Sequence, residues 1–145
     1  MYSRTAARLY RTVIHKEYTM ADSNDAQGAV LAARFTKAAL GFARDRNLCA
    51  DILVEFGDEP RIVRIRHGKV EAIEEKIPLL YPWVFAVRAS IAAWEAYWEH
   101  FPKPGWHDLF ALSKRGELRM EGNLQPMMAH LQYIKDLLAT PRKEA

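Results

Sequence analysis

Residues that could carry out chemistry are few and scattered in this sequence of 145 residues. His100 and His107, with Glu99 and Asp108 beside them, have the composition of a metal site or of an acid-base pair. A Pro-Gly break lies between the two histidines, however, and leaves their mutual geometry undefined. We therefore expect surface or capping histidines, with no metal and no cofactor.

Motifs for nucleotide binding and for nucleophilic catalysis are absent from the sequence. The seven glycines stand singly, whereas phosphate-binding loops need clustered glycines between a strand and a helix. No GxSxG, HExxH or SxxK motif occurs. Cys49 is the only cysteine, which excludes a disulfide framework and a thiolate cage. We expect it to be a small buried hydrophobic residue in a reducing, cytoplasmic setting.

The net charge of +3 is concentrated near the amino terminus. Four of the 21 basic residues and one of the 18 acidic residues precede Met20, which leaves 17 of each in the rest of the chain. The body of the protein is therefore neutral and lacks the basic stripe that phosphate binding requires. Its aromatic residues are not interleaved with basic ones, so we expect no nucleic-acid partner.

Residues 1–19 form a basic amphipathic stretch. On a helical wheel, one face carries Arg4, Arg8, Arg11 and His15, and the other carries Tyr2, Ala6, Leu9, Tyr10 and Val13. Two interpretations stay open: a transit-like or membrane-surface helix, and upstream sequence before a start at Met20. We therefore treat residues 1–27 as an extension, residues 28–139 as the domain and residues 140–145 as a short polar tail.

The hydrophobic pattern of the domain begins with a helix and three strands. Leu31, Phe35 and Phe42 recur at helical spacing between about residues 28 and 47. The next three strands are joined by tight glycine turns and must form an antiparallel meander; they are residues 51–56, 61–67 and 70–73. The following connection contains an apolar run broken by two prolines, too short for a spanning helix of about 20 residues.

The second half of the domain predicts two strands and three helices. Val84 to Ala89 is a strand, and Ser90 is placed to cap a helix that runs to about His100. A helix, a strand and a last helix follow at residues 106–116, 117–121 and 124–138. The expected fold class is therefore α+β, with a single five-stranded, mainly antiparallel sheet covered by helices.

Aromatic residues are concentrated in the middle of the chain. Nine of the 16 aromatic side chains, including all four tryptophans, lie in the 30 residues from Tyr81 to Phe110. Core filling explains any single ring, but the group exceeds what a core of this size needs. Some rings are therefore expected to face a ligand cavity, a partner subunit or water.

Several segments resemble the sterol carrier protein family, type 2. The family's glycine-bounded strand before its closing helix is matched by Gly116, Leu118, Met120, Gly122 and Asn123, with Asn in place of the usual Asp. Upstream, IRHGKVEAIE resembles the family's strand, glycine turn and strand, and FAVRAS with IAAW resembles its serine-capped helix entry. The resemblance covers about residues 28–139. Residues 74–83, rich in proline, and the heavy tryptophan helix depart from the family.

The resemblance implies an apolar cavity between sheet and helices that binds and transfers a fatty acyl chain, sterol or isoprenoid without catalysis. The residues expected to line it are Phe85, Val87, Trp94, Trp98, Phe101, Trp106, Phe110, Met120, Met127, Met128 and Leu131. Arg88 and His107 are candidate head-group anchors, although an outward-facing charge in an alternating strand fits Arg88 at least as well. The last predicted helix would act as a lid.

Two other hypotheses belong to different functional classes. In one, the chain is an accessory or dimerisation module whose aromatic patch binds a partner protein, for example in lipid or quinone metabolism. In the other, it is a small enzyme that uses His107 with Asp108, for which the sequence offers neither a nucleophile nor a cofactor site. The lipid-binding hypothesis is compatible with a homodimer and with transient contact with a membrane. That hypothesis requires open space among the rings rather than solid packing.

Overall fold

A five-stranded sheet with helices on one face forms the centre of the computed structural model, which describes residues 25–142. The strands are β1 (Ala50–Phe56), β2 (Glu59–Arg66), β3 (Lys69–Glu74), β4 (Phe85–Ala89) and β5 (Leu118–Gly122). The helices are α1 (25–39), α2 (Ile91–Tyr97), α3 (Leu109–Lys114), α4 (Gln125–Ala129) and α5 (Leu131–Leu138). The expected α+β class with five strands is confirmed. The basic stretch 1–19 lies outside the described residues, so its interpretation and the domain boundaries stay predictions.

The strands lie in the order β3-β2-β1-β4-β5. β1, β2 and β3 form the expected antiparallel meander, and β4 pairs antiparallel with β5. β1 and β4 are parallel, with Ile52 opposite Phe85 and Phe56 opposite Ala89. A parallel pair needs a long crossover, which β2, β3 and the connection 75–84 supply here. The sheet is therefore mixed, with one parallel pair among its four.

Alternation along the strands gives the sheet one apolar face. Ile52, Val54 and Phe56 are fully buried beneath the helices, and the register places Phe85 and Val87 on the same face. α2 begins directly after β4. There the Ser90 hydroxyl accepts a hydrogen bond from the amide of Ala93 at 3.1 Å, as expected for an N-cap residue.

α1 is shorter than the sequence pattern predicts. It ends at residue 39 rather than near Asn47, because Gly41 takes a φ of +84° and the chain then turns toward the sheet. Ala43 forms a bridge with Lys69 at the start of β3. The buried face of the helix is the predicted one and includes Leu31, Phe35 and Ala39.

The last apolar stripe of the sequence belongs to two helices, so the prediction of one helix from Leu124 to Leu138 is wrong. His130, at φ −125° and ψ 41°, leaves the helical region between α4 and α5. The division is unequal, because α4 buries Met127 alone. The buried residues of α5 are Tyr133, Ile134, Leu137 and Leu138.

The connection 75–84 covers the sheet face that is turned away from the helices. There a small buried cluster of Leu53, Ile62 and Ala86 packs against Ile77, Tyr81 and Trp83. The Tyr81 hydroxyl donates a hydrogen bond to Asp51 at 2.6 Å and ties the connection to β1. The alternation of β1 correctly predicts the sheet face on which Leu53 lies. It does not predict that the connection covers this residue.

Cys49 is exposed, which corrects the expectation of a buried residue. Its neighbours Leu48 and Ala50 are both buried, so the extended backbone turns the intervening side chain outward. The amide of His67 donates to its Sγ at 3.3 Å. Within the described part of the chain, no helix is long and apolar enough to cross a membrane.

Candidate ligand-binding site

Aromatic side chains fill the centre of the layer between the sheet and the helices. The ring centroid of Phe56 lies 5.0 Å from that of Trp94 and 5.7 Å from that of Trp98. Phe35 of α1 approaches Phe56 to 5.2 Å, and the two tryptophan rings are 5.4 Å apart. All four side chains are buried. Because these four rings pack directly on one another, the open space that the lipid-binding hypothesis expected among the rings is not seen between them.

The polar atoms of these rings are also engaged by the protein. Trp94 Nε1 donates to the Glu55 carbonyl at 2.9 Å, and Trp98 Nε1 donates to the Leu138 carbonyl at 2.8 Å. α2 therefore contacts β1 and α5 at once, which buries rings around most of its circumference. This enclosure accounts for the aromatic surplus on α2.

The expected ligand residues fall into three groups. Five are buried: Phe85, Val87, Trp94, Trp98 and Met127. Four are partly buried: Trp106, Phe110, Met120 and Leu131. Phe101 and Met128 are 82% and 52% exposed. The structure does not bring the eleven together around one space, and their part in binding stays a prediction.

Four partly buried apolar side chains that pack on the core lie near α4 in the chain or in the sheet. Met120 lies on the helix-covered face of the edge strand β5, opposite Val87. Val84 precedes β4, and its carbonyl accepts a hydrogen bond from the amide of Asn123 at 2.9 Å, which places the start of α4 beside β4. The residues that pack on the core here while staying partly exposed, which we call the α4 strip, are Val84, Met120, Leu124 and Leu131.

α4 is held much more weakly than α5. It has five residues and one buried side chain, Met127, although Asn123 Oδ1 accepts a hydrogen bond from the Gln125 amide at 3.1 Å where the helix begins. α5 accepts the hydrogen bond of Trp98 at Leu138, and Tyr97 donates to the Lys135 carbonyl at 3.2 Å. Lys135 also pairs with Asp108 at 2.7 Å. Of the two halves of the predicted lid, α4 is therefore the one whose displacement would disturb fewer buried side chains.

Arg88 lies on the sheet face that is turned away from the helices. It forms ion pairs with Glu55 and, from Nε at 3.2 Å, with Glu121. Its guanidinium stands 5.9 Å from the ring centroid of Trp83. The position of Arg88 therefore fits the interpretation of an outward-facing charge. A lipid head group that bound Arg88 would have to displace the carboxylates of Glu55 and Glu121.

His107 and Asp108 have separate partners. His107 Nδ1 accepts a hydrogen bond from the amide of Gly105 at 3.3 Å, whereas Asp108 pairs with Lys135. Burial acts to raise the pKa of Asp108, but the hydrogen bond and charge of Lys135 outweigh it and hold the pKa below 3.8. Within residues 25–142, no cluster of three or more His, Cys, Asp or Glu could hold a metal ion.

Trp106 and Phe110 lie toward the outside of the helix layer, and each has a cation over its ring. Arg115 stands 5.2 Å from the ring centroid of Trp106, and Lys135 stands 5.4 Å from that of Phe110. Trp106 borders an open depression of about 220 Å³ together with Glu99 and Lys103. Both rings are therefore partly buried at the edge of the helix layer, Trp106 packs on the core, and neither belongs to the α4 strip.

Tyr133 is an internal polar residue that sequence reasoning did not identify. Its side chain is 1% exposed and its ring meets that of Phe42 edge to face at 5.2 Å. The hydroxyl is buried without a hydrogen-bond partner. Burial raises the pKa of Tyr133 to about 12, against a smaller lowering effect of Arg44. Its position on the apolar stripe of the last predicted helix was the available signal.

No protein-family model and no curated protein matches the sequence. Three solved structures are similar in fold. A UbiJ-SCP2 ubiquinone synthesis protein is 18% identical, with a TM-score of 0.46 over 85% of this chain and 98% of its own. A conserved hypothetical protein of Thermus thermophilus, described as a candidate sterol carrier protein, is 12% identical, with a TM-score of 0.45 over 81% and 82%. Sterol carrier protein 2 from Yarrowia lipolytica, in its apo form, is 13% identical, with a TM-score of 0.43 over 84% of each chain.

Proposed function

We propose that this protein binds the hydrocarbon part of a lipid without catalysis, and that the chain of the lipid enters beneath α4. The ligand class is the one expected from the sequence, a fatty acyl chain, sterol or isoprenoid. The observation that carries the proposal is the α4 strip, four partly buried apolar side chains that continue the core toward the surface beside a weakly held helix.

The energy required to open α4 is small enough for a lipid to supply. Lifting the helix exposes Met127, its one buried side chain, together with the core surface that Met127 covers, and Met127 alone accounts for about 1.5 to 3 kcal/mol of the cost. Each methylene that then becomes buried returns about 0.8 kcal/mol, so about four methylenes offset the exposure of Met127 and a longer chain offsets the rest. Methionine suits such a position because its flexible side chain repacks easily, and Met120 and Met127 both belong to this region.

The aromatic-patch alternative has less surface than the sequence suggested. Trp94, Tyr97 and Trp98 are buried, and among the rings of α2 and the segment after it, Phe101 is the strongly exposed one. A partner protein would therefore meet a single protruding phenylalanine rather than a broad aromatic face. This observation weakens the aromatic-patch hypothesis.

Organic extraction of the purified protein, followed by mass spectrometry, tests the proposal directly. We expect a stoichiometric acyl or isoprenoid species, and we expect the emptied protein to take up a fluorescent fatty acid. A clean extract together with no uptake would contradict lipid binding.

Met127→Ala locates the site. The substitution leaves a space under α4 and should lower the free energy of unfolding by about 2 to 5 kcal/mol. If a lipid chain occupies that space, an added fatty acid should raise the Tm of this variant more than that of the unaltered protein.

Leu112→Ala is the matched control, because Leu112 of α3 is equally buried but lies outside the α4 strip. It should lose similar stability and gain no extra protection from the fatty acid. Equal protection of both variants would contradict entry beneath α4 while leaving lipid binding itself intact.

A further inference from the structure

The connection 75–84 holds two leucines almost entirely in solvent. Leu79 is 93% exposed and Leu80 is 92% exposed, more than the other exposed large hydrophobic side chains of the described residues. Single exposed leucines are ordinary, but two adjacent ones at the tip of a connection form a small apolar projection. We call residues 78–81 the dileucine turn.

The backbone of the dileucine turn is constrained in a form that disfavours leucine. Leu80 has a φ of +61°, in the left-handed region that side chains larger than Asn seldom adopt. The turn is closed by a hydrogen bond from the Tyr81 amide to the Pro78 carbonyl at 3.2 Å. Asn or Gly would fit this position with less strain, so the leucine does not serve the fold.

The base of the turn is firmly attached to the sheet. Tyr81 donates a hydrogen bond to Asp51, and Trp83 packs on the buried cluster of Leu53, Ile62 and Ala86. Proline on either side of the two leucines and Tyr81, at positions 78 and 82, restricts the backbone further. The leucines therefore project from a rigid support rather than from a loose loop.

The charges around the dileucine turn do not oppose an anionic surface. The acids that lead into it are paired with arginines, Glu74 with Arg64 at 3.7 Å and Glu75 with Arg61 at 3.1 Å. Asp51 at its base pairs with Arg66 at 2.8 Å. Lys76 is exposed beside the turn, and the excess basic residues of the sequence precede Met20.

We propose that the dileucine turn inserts into the facing leaflet of a lipid bilayer and docks the protein there reversibly. A bilayer accepts a convex apolar projection without a matching hollow. A second copy or another stable protein partner would need roughly 20 to 30 residues on each side, far more than the turn presents. Aromatic residues at the base, Tyr81 and Trp83, suit the interfacial zone of a membrane. This proposal does not depend on the ligand site beneath α4.

Vesicle flotation of the full chain tests the docking. The double substitution Leu79→Ser with Leu80→Asn should weaken binding to phosphatidylcholine vesicles at least tenfold, because most of the inserted apolar surface is lost. The matched control is Val30→Ser with Leu40→Ser, two exposed residues of or beside α1, which should leave vesicle binding unchanged. Zwitterionic vesicles keep any charge-driven binding by the basic stretch out of the measurement.

The thermal stability of the variants separates docking from folding. Leu80→Asn alone should keep or raise the Tm, since Asn tolerates the left-handed region, while it weakens vesicle binding. Unchanged vesicle binding of the double variant would overturn the proposal and favour a protein ligand for the turn. Equal losses in the double variant and its control would also overturn it.

Discussion

The two faces of the sheet are covered in different ways. On one face the helices bury a continuous apolar core that contains Phe56, Trp94 and Trp98. On the other face three buried residues and a connection of about ten residues are accompanied by ion pairs, among them Arg88 with Glu55 and Arg66 with Asp51. The helix-covered face holds the main core of the domain. The connection on the other face carries exposed apolar residues that do not pack in either cluster.

The difference shows where a functional contact can be built at low cost. A change among the packed rings removes contacts on several elements at once, because each ring meets two or three others. A change in the connection affects one small cluster. The surfaces to which we assign contacts with lipid, the α4 strip and the dileucine turn, both lie where the packing is thin.

Trp98→Ala should have the largest effect, a loss of about 3 to 5 kcal/mol in the free energy of unfolding. It empties a space among the central rings and leaves the Leu138 carbonyl without its hydrogen bond. Trp83→Ala on the other face should cost about half as much, because Trp83 is only partly buried. Urea denaturation of both variants measures the ratio, and equal losses would show that the connection is as much part of the core as α2.

Tyr81→Phe should lower the free energy of unfolding by about 1 kcal/mol, since it removes the hydrogen bond to Asp51. Burial acts to raise the pKa of Asp51. The hydrogen bonds from Tyr81 and Arg66 and the charge of Arg66 outweigh burial and lower this pKa below the ordinary value for an aspartate. A carboxyl group whose pKa is lower in the folded protein than in the unfolded chain stabilises the protein at pH values above its unfolded-state pKa. This stabilisation is lost as the pH falls through the folded-state pKa.

The variant should therefore lose less stability on acidification than the unaltered protein. Titration of the Asp51 carboxyl group by NMR should show its pKa rising toward the ordinary value. An unmoved pKa would mean that Tyr81 does not hold the connection in the way described.

Tyr133→Phe should have the smallest effect, a gain of up to about 1 kcal/mol, because it removes a buried hydroxyl that lacks a partner. The raised pKa of Tyr133, about 12, also makes the protein less stable as the pH rises from about 10 toward 12, since the unfolded chain loses its proton first.

The substitution should reduce this alkaline loss without abolishing it, because Tyr97 also has a pKa raised by burial to about 12. Urea unfolding at about pH 9 and about pH 11 measures both effects. A variant that is less stable than the unaltered protein at the lower pH would show that the hydroxyl has a favourable contact after all.

The sequence predicted most of the fold because its elements are local. Alternation and glycine turns located the meander, and the cap at Ser90 located α2. The end of α1 at residue 39 was missed because it depends on where the chain must turn to reach the sheet, and the break at His130 was missed because the apolar stripe continues through it. Periodicity alone does not carry that information.

The candidate site was less predictable than the fold. Sequence spacing placed rings around α2 but could not tell that β1 and α5 enclose it, so Trp94 and Trp98 were expected beside a cavity and are packed on each other. The dileucine turn and the lone hydroxyl of Tyr133 went unnoticed, because exposure and missing partners are properties of the tertiary structure.

The parallel pairing of β1 with β4 gives the assembly of this domain an order. The meander β1 to β3 closes through two tight turns, so it can form quickly and by itself, whereas β4 reaches β1 only after the whole connection is available. During synthesis the edge of β1 that later pairs with β4 therefore stays unpaired until β4 has been made. The docking of that strand is the step at which we expect folding to be slowest and most open to aggregation.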